Sequence, residues 1–336
     1  MASTIKDVAK MADVSISTVS RVINESKPVS PEARRRVLHA IEVLDYKPNE
    51  VARSLVTKKS NLIGVIVDDI GSEFASSILR GVEEVGRMYK YDILLSSSYG
   101  DPEIEIKFAK LFAQKQVEGI IIISNDLNQK LMYKLEETKI PYINMNKFYN
   151  IEDNATVRID YEKASYDMVE YLQELGHTKI AAIAMKKDID RTEEKYKVKG
   201  YTDAMKAKNL DIREIYTMGI KENNVEEVSQ EILKAVKEEG ITALFCSQDE
   251  VAIYVTNILL DNGIKVPEQV SVTGFGGNKL SSIYRPKITT VQIPYYDIGA
   301  VAIRKILKII KNEDNGREES IVLPVQILKR ESAKRI

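Results

Sequence analysis

The 336-residue chain carries 49 Lys and Arg against 50 Asp and Glu, for a formal net charge of −1, with 44% hydrophobic residues and enough length for two or three domains. One cysteine, Cys246, and two histidines, His39 and His177, argue against a disulfide framework, a Cys-rich metal site and His-based triad chemistry. Charge is uneven: residues 1–60 hold 11 Lys and Arg against 7 Asp and Glu, while the other 276 hold 38 against 43. A basic head on an acidic body implies a division of labour between the two.

The head reads as short helices. "TIKDVAKMA" places Ile5, Val8, Ala9 and Ala12 on one face, with Thr4 as cap and Asp7 three residues on. After the break "DVS", a second helix, "SISTVSRVIN", starts at Ser15 and turns Val19, Val22 and Ile23 inward. Ser30 and Pro31 open a third helix with Ala33, Val37, Ile41 and Leu44 as its stripe. "NEVARSLVTKKS" is a fourth segment, too short to be a stable helix alone. Two short helices across a three-residue break form a helix-turn-helix, whose second helix fits the major groove.

From residue 61 the rhythm changes. Apolar runs "LIGVIV" (62–67), "DILLSSS" (92–98), "GIIIIS" (119–124), "KIAAIA" (179–184), "TALFC" (242–246) and "VSVTGF" (270–275) alternate with helical stretches, which predicts parallel sheets covered on both faces. About 275 residues is generous for one such unit, so two similar lobes are expected. "MASTIKDVAKMADVS" lacks an apolar signal core and no run reaches membrane-spanning length, so a cytoplasmic protein is expected. No nucleophile, base and oxyanion set assembles from these motifs, which speaks against an enzyme. No cofactor or metal is expected.

The loop "GFGGN" (274–278) has three glycines in four positions but matches neither G-x-G-x-x-G nor a phosphate loop ending in G-K-[ST]. Paired acids such as "VDD" and "EE" lie among many lysines and read as solvated.

"TIKDVAKMADVSISTVSRVIN", followed by "VSPEARRRVLHAIEVLDYKPNEVARSLVTKKSNLIGVIV", resembles the head, hinge and first core strand of the LacI/GalR family of repressors. "GYTDAM" (200–205), "ITALFCSQDEVA" (241–252) and "LPVQILKRES" (323–332) extend the resemblance along the chain. It implies an α plus α/β architecture: a helix-turn-helix head with a hinge helix, then a two-lobed core like a periplasmic binding protein. It places the head at 1–60 with a hinge helix at 49–57 and the core at 61–336. The lobes are then an N-subdomain of about 61–161 and 293–323, and a C-subdomain of about 162–292 and 324–336.

By position, the family pattern brings Ile16, Ser17 and Arg21 to base edges, and Thr4, Thr18, Asn24, Tyr46 and Asn49 to phosphates. Ala52 and Leu55 fall on the hinge, with Leu55 where the family wedges the minor groove, a step that needs a dimer to repay unstacking. Asp13 stands where glycine is usual, and Asp tolerates the left-handed conformation.

Sugar-responsive members hold effector with an arginine before "GY" and an aspartate in "GFD"; here Lys197 and Gly276 take those places. Losing that carboxylate removes a charge-assisted acceptor worth about 1.5–3 kcal/mol. The effector cleft therefore reads as degenerate.

"EEVGRMYKYDILLSSS", "IDYEKASYD", "KVKGY" and "YDIGAVAIR" resemble the catabolite control protein A branch. That branch takes as corepressor the Ser-phosphorylated phosphocarrier protein of the sugar phosphotransferase system. The resemblance carries Glu84, Tyr89, Tyr296, Asp297, Ala300, Arg304 and Lys308 over as the corepressor face, with Asp297, Ala300, Arg304 and Lys308 on one side of a helix. Glu84 replaces a usual aspartate, and Gln326 stands where arginine is common.

The resemblance thus implies a homodimeric, nucleoid-associated regulator of carbon catabolite genes on a pseudo-palindromic operator, with sugar phosphates as further candidate ligands. A dedicated sugar-operon repressor, for maltose for example, is the alternative. A transport solute-binding protein is the reading from another class, and the DNA-reading head opposes it.

Overall fold

The computed structural model describes residues 3–24, 27–46, 59–124, 128–145, 156–185, 193–217, 225–313 and 320–336. The chain divides into two compact units, Met1–Ser60 and Asn61–Ile336.

In the first unit, α1 (Ile5–Met11), α2 (Ile16–Asn24) and α3 (Pro31–Val43) enclose a small core of Val8, Ala9, Ala12, Val19, Val22, Val37 and Ala40. Thr4 and Asp7 form a capping box on α1, and Ser30 caps α3 ahead of Pro31. Ser15 accepts from the Thr18 amide at 3.1 Å, which starts α2. Asp13, with φ of 50°, turns the chain between α1 and α2 in the left-handed region. On α3 the fully buried positions are Val37 and Ala40, flanked by Ile41 and Leu44, while Ala33 stays at the margin.

The second unit holds two six-stranded sheets. The first comprises β1 (Leu62–Val67), β2 (Asp92–Ser97), β3 (Gly119–Ile123), β4 (Tyr142–Asn144), β5 (Thr156–Ile159) and β11 (Ser320–Leu323), in the order β11-β5-β4-β3-β1-β2. Its pairings are all parallel. The second comprises β6 (Ile180–Met185), β7 (Arg213–Thr217), β8 (Ala243–Cys246), β9 (Ser271–Gly276), β10 (Thr289–Gln292) and β12 (Gln326–Leu328), in the order β12-β10-β9-β8-β6-β7. Only β12, against β10, runs antiparallel.

Strands such as β1 and β3 are continuous β-branched runs because helices cover both of their faces. The first lobe carries α4 (Glu73–Met88), α5 (Pro102–Gln114) and α6 (Gln129–Thr138). The second carries α7 (Tyr161–Glu174), α8 (Glu193–Ala207), α9 (Val225–Lys237), α10 (Asp249–Asp261) and the short α11 (Lys279–Ile283). After β10 the chain returns to the first lobe as α12 (Tyr295–Ile310), which packs on α4 and β3.

The contact between α4 and α12 is close because glycine lies on both sides. A Cβ at Gly81 would collide with the Tyr296 carbonyl and the Ala300 amide, and one at Gly299 with the Ile78 carbonyl. No helix among the described residues is long and apolar enough to cross a membrane.

Candidate functional site

In the head, Ile16 opens α2 with 45% of its surface exposed, and Ser17 and Arg21 are exposed one turn apart. These three share the outward side of a helix whose inward side, Val19 and Val22, is buried. The Ser15 hydroxyl lies 2.7 Å from that of Ser17 and 2.9 Å from that of Thr18, so the residues at the start of α2 are mutually braced. Thr4 is exposed, with its hydroxyl donating to Asp7 Oδ2 at 2.7 Å. Tyr46 packs half-buried on the head core. Asn24 ends α2. Asn49, Ala52, Leu55 and the expected hinge helix at 49–57 lie outside the described residues. Arg36 reaches Asp13 at 3.6 Å, an exposed pair that adds little stability.

The core has two polar regions. The first is a cleft of about 1660 Å³ between the lobes. The first lobe and α12 line it with Asp68, Phe74, Tyr99 and Tyr295, and the second lobe with Glu194, Lys197, Gln248 and Phe275. Lys197 does lie at the cleft, but it is only 3% exposed and its ammonium is already engaged. Nζ donates to Glu194 Oε1 at 3.1 Å and to the Ser247 carbonyl at 2.9 Å, with Glu193 Oε1 at 3.6 Å. It also stands 4.9 Å above the Phe275 ring. Burial opposes the charge, yet Glu194 and Glu193 outweigh it and hold the Lys197 pKa above the ordinary value.

Gly276 ends β9 with φ of 130° and Gly277 follows with φ of 74°, backbone geometry that favours glycine. The buried neighbour that shapes this loop is Asp249, which accepts from the Asn278 amide at 2.7 Å and from the Thr290 hydroxyl. Burial raises the Asp249 pKa against those two bonds. A Cβ at Gly276 would stand 3.6 Å from Asp249 Oδ2, so a carboxylate there would meet another. The glycines serve a turn wrapped around Asp249, not a phosphate.

The second region is the outer face of α4 and α12, which meets the cleft at Arg80, Tyr296 and Asp297. The Tyr296 hydroxyl donates to Glu84 Oε2 at 2.9 Å, and the Arg80 guanidinium lies 5.7 Å from the Tyr296 ring. The bond to Glu84 raises the Tyr296 pKa, while Arg304 and Arg80 act in the opposite sense. Arg304 and Lys308 are exposed one turn apart, and Asp297 is exposed at the start of the helix. Tyr89 is exposed after α4, with Lys311 Nζ 5.4 Å from its ring centre.

Ala300 departs from the expected face. It is 3% exposed because α12 lies against Gly81 at that point, so its side chain belongs to the helix contact and not to a docking surface. Arg80, Lys311, Glu193, Glu194, Gln248 and Asp249 were missed as site residues. The helical spacing from Arg80 to Glu84, and from Glu193 and Glu194 to Lys197, was the readable signal.

A helix-turn-helix head joined in sequence to a two-lobed α/β core with a cleft defines a DNA-binding regulator of the periplasmic-binding-protein type. Residues 4–49 match the model for bacterial regulatory proteins of the lacI family, and residues 169–333 the periplasmic binding protein-like domain. Catabolite control protein A of Priestia megaterium is 36% identical over 98% of this chain and 99% of its own. The HTH-type transcriptional regulator RegA of Clostridium acetobutylicum is 38% identical over 99% and 100%.

Among solved structures, the transcription regulator CcpA of Lactococcus lactis is similar at 29% identity and a TM-score of 0.68, covering 81% of this chain and 99% of that one. The lac repressor dimer bound to operator and an anti-inducer shares the fold, with a TM-score of 0.84 at 24% identity over 99% and 100% of the chains. The chain belongs to the lacI family of bacterial regulatory proteins. It is a transcriptional regulator and not an enzyme, from a family whose members bind DNA as dimers.

Proposed function

We propose that this regulator represses carbon catabolite genes as a homodimer on a pseudo-palindromic operator, with the Ser-phosphorylated phosphocarrier protein as its corepressor. In this reading residues 1–60 are the DNA-binding head, including a hinge helix at 49–57, and residues 61–336 are the sensing and dimerisation core. Ile16, Ser17 and Arg21 read base edges. Thr4, Thr18, Asn24, Tyr46 and Asn49 hold phosphates, and Leu55 beside Ala52 wedges the minor groove.

The observation that carries the corepressor is the α4–α12 face. Two exposed cations one turn apart, Arg304 and Lys308, lie on the helix that carries Tyr296, whose hydroxyl bonds Glu84 and whose ring has the Arg80 guanidinium 5.7 Å away. A guanidinium can grip a phosphoserine with two parallel hydrogen bonds, and the lysine adds charge. Tyr89 and Asp297 complete the surface. Relatives named catabolite control protein A support this choice.

Fluorescence anisotropy on an inverted-repeat operator, with and without the phosphorylated carrier at two salt concentrations, tests it. The carrier should tighten binding, and log affinity should fall by about 0.9 per log salt for each phosphate neutralised. Arg304→Glu should abolish stimulation while leaving carrier-free binding unchanged. Stimulation that survives this substitution removes the α12 face from the mechanism.

The cleft keeps a second reading open, that of a sugar-operon repressor. One relative of known structure, at 25% identity with a TM-score of 0.70 over 98% of this chain and 99% of its own, is a transcriptional regulator CelR–cellobiose complex. Calorimetry with maltose and cellobiose decides between the readings, and release of operator by a sugar would favour the second.

A further inference from the structure

We infer that Glu118 is a positioning residue for operator binding: its carboxylate ties Asn61, the residue at which the chain enters the core, to the ends of α4 and α12, and so sets the direction in which the chain leaves the core towards the head.

The second compact unit begins at Asn61, immediately ahead of β1. Asn61 has φ of 54°, a left-handed conformation that asparagine tolerates better than most residues. Both of its backbone groups are engaged. The amide donates to Glu118 Oε1 at 2.7 Å, and the carbonyl accepts from the Asp92 amide at 2.9 Å. Glu118 stands just ahead of β3, and its other oxygen, Oε2, accepts from the Tyr91 hydroxyl at 2.9 Å. Its amide donates to the Leu62 carbonyl at 2.8 Å. Asn61, Tyr91 and Glu118 are all half-buried, so these bonds are partly shielded from water. Burial and Glu118 push the Tyr91 pKa up, so the hydroxyl keeps the proton it donates.

Glu118 also meets both helices of the outer face. Tyr91 follows the end of α4, and its amide donates to the Gly86 carbonyl at 2.9 Å. Gly119, next to Glu118, opens β3 directly beneath α12. A Cβ there would stand 2.7 Å from Ile306 Cδ1 and 3.1 Å from Ile310 Cδ1. Packing this close leaves no slack, so a displacement of either helix reaches the Glu118 carboxylate and, through it, Asn61.

Members of this family bind DNA as dimers, and a dimer reads two half-sites only at the separation that its attachments allow. Non-specific binding through phosphates makes no such demand. A loosened Asn61 therefore costs spacing discrimination first and general DNA affinity last. The inference concerns operator binding without a corepressor, so it can fail or stand independently of the Arg304 assay.

Anisotropy of the full chain on three duplexes tests it: an operator selected by the wild-type chain from a random pool, the same operator with one base pair inserted between its half-sites, and a scrambled duplex. The insertion separates the half-sites by about 3.4 Å more and turns them out of phase. The wild-type chain should bind the spaced duplex at least about a hundredfold more weakly than the selected one. Glu118→Ala should narrow that preference at least about tenfold, with affinity for the scrambled duplex within about twofold of wild type. Glu118→Gln can still accept from the Asn61 amide and offers the Tyr91 hydroxyl a partner, so it should keep the wild-type preference.

An unchanged spacing preference in Glu118→Ala overturns the inference, as does a wild-type chain indifferent to spacing. So does an equal loss on all three duplexes, or a Glu118→Gln chain as indiscriminate as the alanine variant. Should Glu118→Ala not fold, Tyr91→Phe decides. That change frees one carboxylate oxygen and should narrow the preference about threefold, and no narrowing overturns the inference.

Discussion

Lys197 on α8 and Arg304 on α12 are both cations on core helices, each with tyrosine and glutamate nearby, and their surroundings give them opposite roles. Lys197 is buried among Glu194, Glu193, Phe275 and Tyr161, and its charge is used within the fold. Arg304 is exposed, and no salt bridge engages it among the described residues. Availability for a partner therefore depends less on the residue type than on whether its protons are already committed. The Lys197 charge is consumed inside the second lobe, whereas Arg304 and Lys308 face solvent.

The largest effect that would test this contrast is on stability. Lys197→Met leaves Glu194 and Glu193 beside an apolar side chain, and removing one partner of a buried pair costs about 3–5 kcal/mol. Arg304→Ala should change stability by no more than about 0.5 kcal/mol, while carrier stimulation disappears. Denaturant midpoints of the two variants measure the difference. If Lys197→Met loses less than about 1 kcal/mol, the buried pair is not a structural element and the contrast collapses.

A smaller loss should follow at Gly81. Valine there would push α4 away from the Tyr296 carbonyl, an overpacking cost of about 1–3 kcal/mol. The outer face is built across that contact, because Glu84 comes from α4 and Tyr296 from α12. Gly81→Val should therefore lose stability and carrier stimulation together, whereas Arg304→Ala loses only the second. Anisotropy beside the denaturation curve separates the two cases.

Much of this arrangement was legible in the sequence, and the gaps have physical causes. The caps at Thr4, Ser15 and Ser30 were readable because capping is local chemistry. The long runs of β1, β3 and β6 announced a doubly covered sheet. The short strands β4, β5 and β12 were not singled out, since three or four residues carry too little periodicity and their pairing is set by distant chain segments.

At the site, spacing placed Asp297, Arg304 and Lys308 on an exposed side of α12 but set Ala300 with them. Its burial follows from Gly81 on another helix, more than two hundred residues earlier. The loop at Gly276 was read through what it lacks. Its organiser, Asp249, lies on α10 and reaches the loop only in the folded chain.

His177 sharpens the contrast with Lys197, because it is a buried base whose ring meets hydroxyls and a carbonyl in place of carboxylates. Nε2 lies 3.1 Å from the Lys334 carbonyl, which can only accept, so that nitrogen carries the proton and Nδ1 accepts from the Thr242 hydroxyl at 2.9 Å. Burial pushes the His177 pKa below the ordinary 6.5, opposed by the bond to Lys334. A depressed folded-state pKa favours the neutral ring, so its contribution to stability is present above about pH 6.5 and is lost as pH falls toward the folded value.

On protonation Nδ1 would donate to the Thr242 oxygen, whose own proton would turn to the Lys179 carbonyl 3.3 Å away. The wild-type chain should lose stability modestly as pH falls below about 6.5, and His177→Gln should flatten that part of the profile while costing about 1–2 kcal/mol at neutral pH through lost hydrogen bonds. A profile with the same slope in both proteins would assign the acid sensitivity elsewhere. Lys197, buried as deeply but flanked by two glutamates, should keep its charge across the same range; burial alone neutralises a base, and burial with a carboxylate fixes its charge.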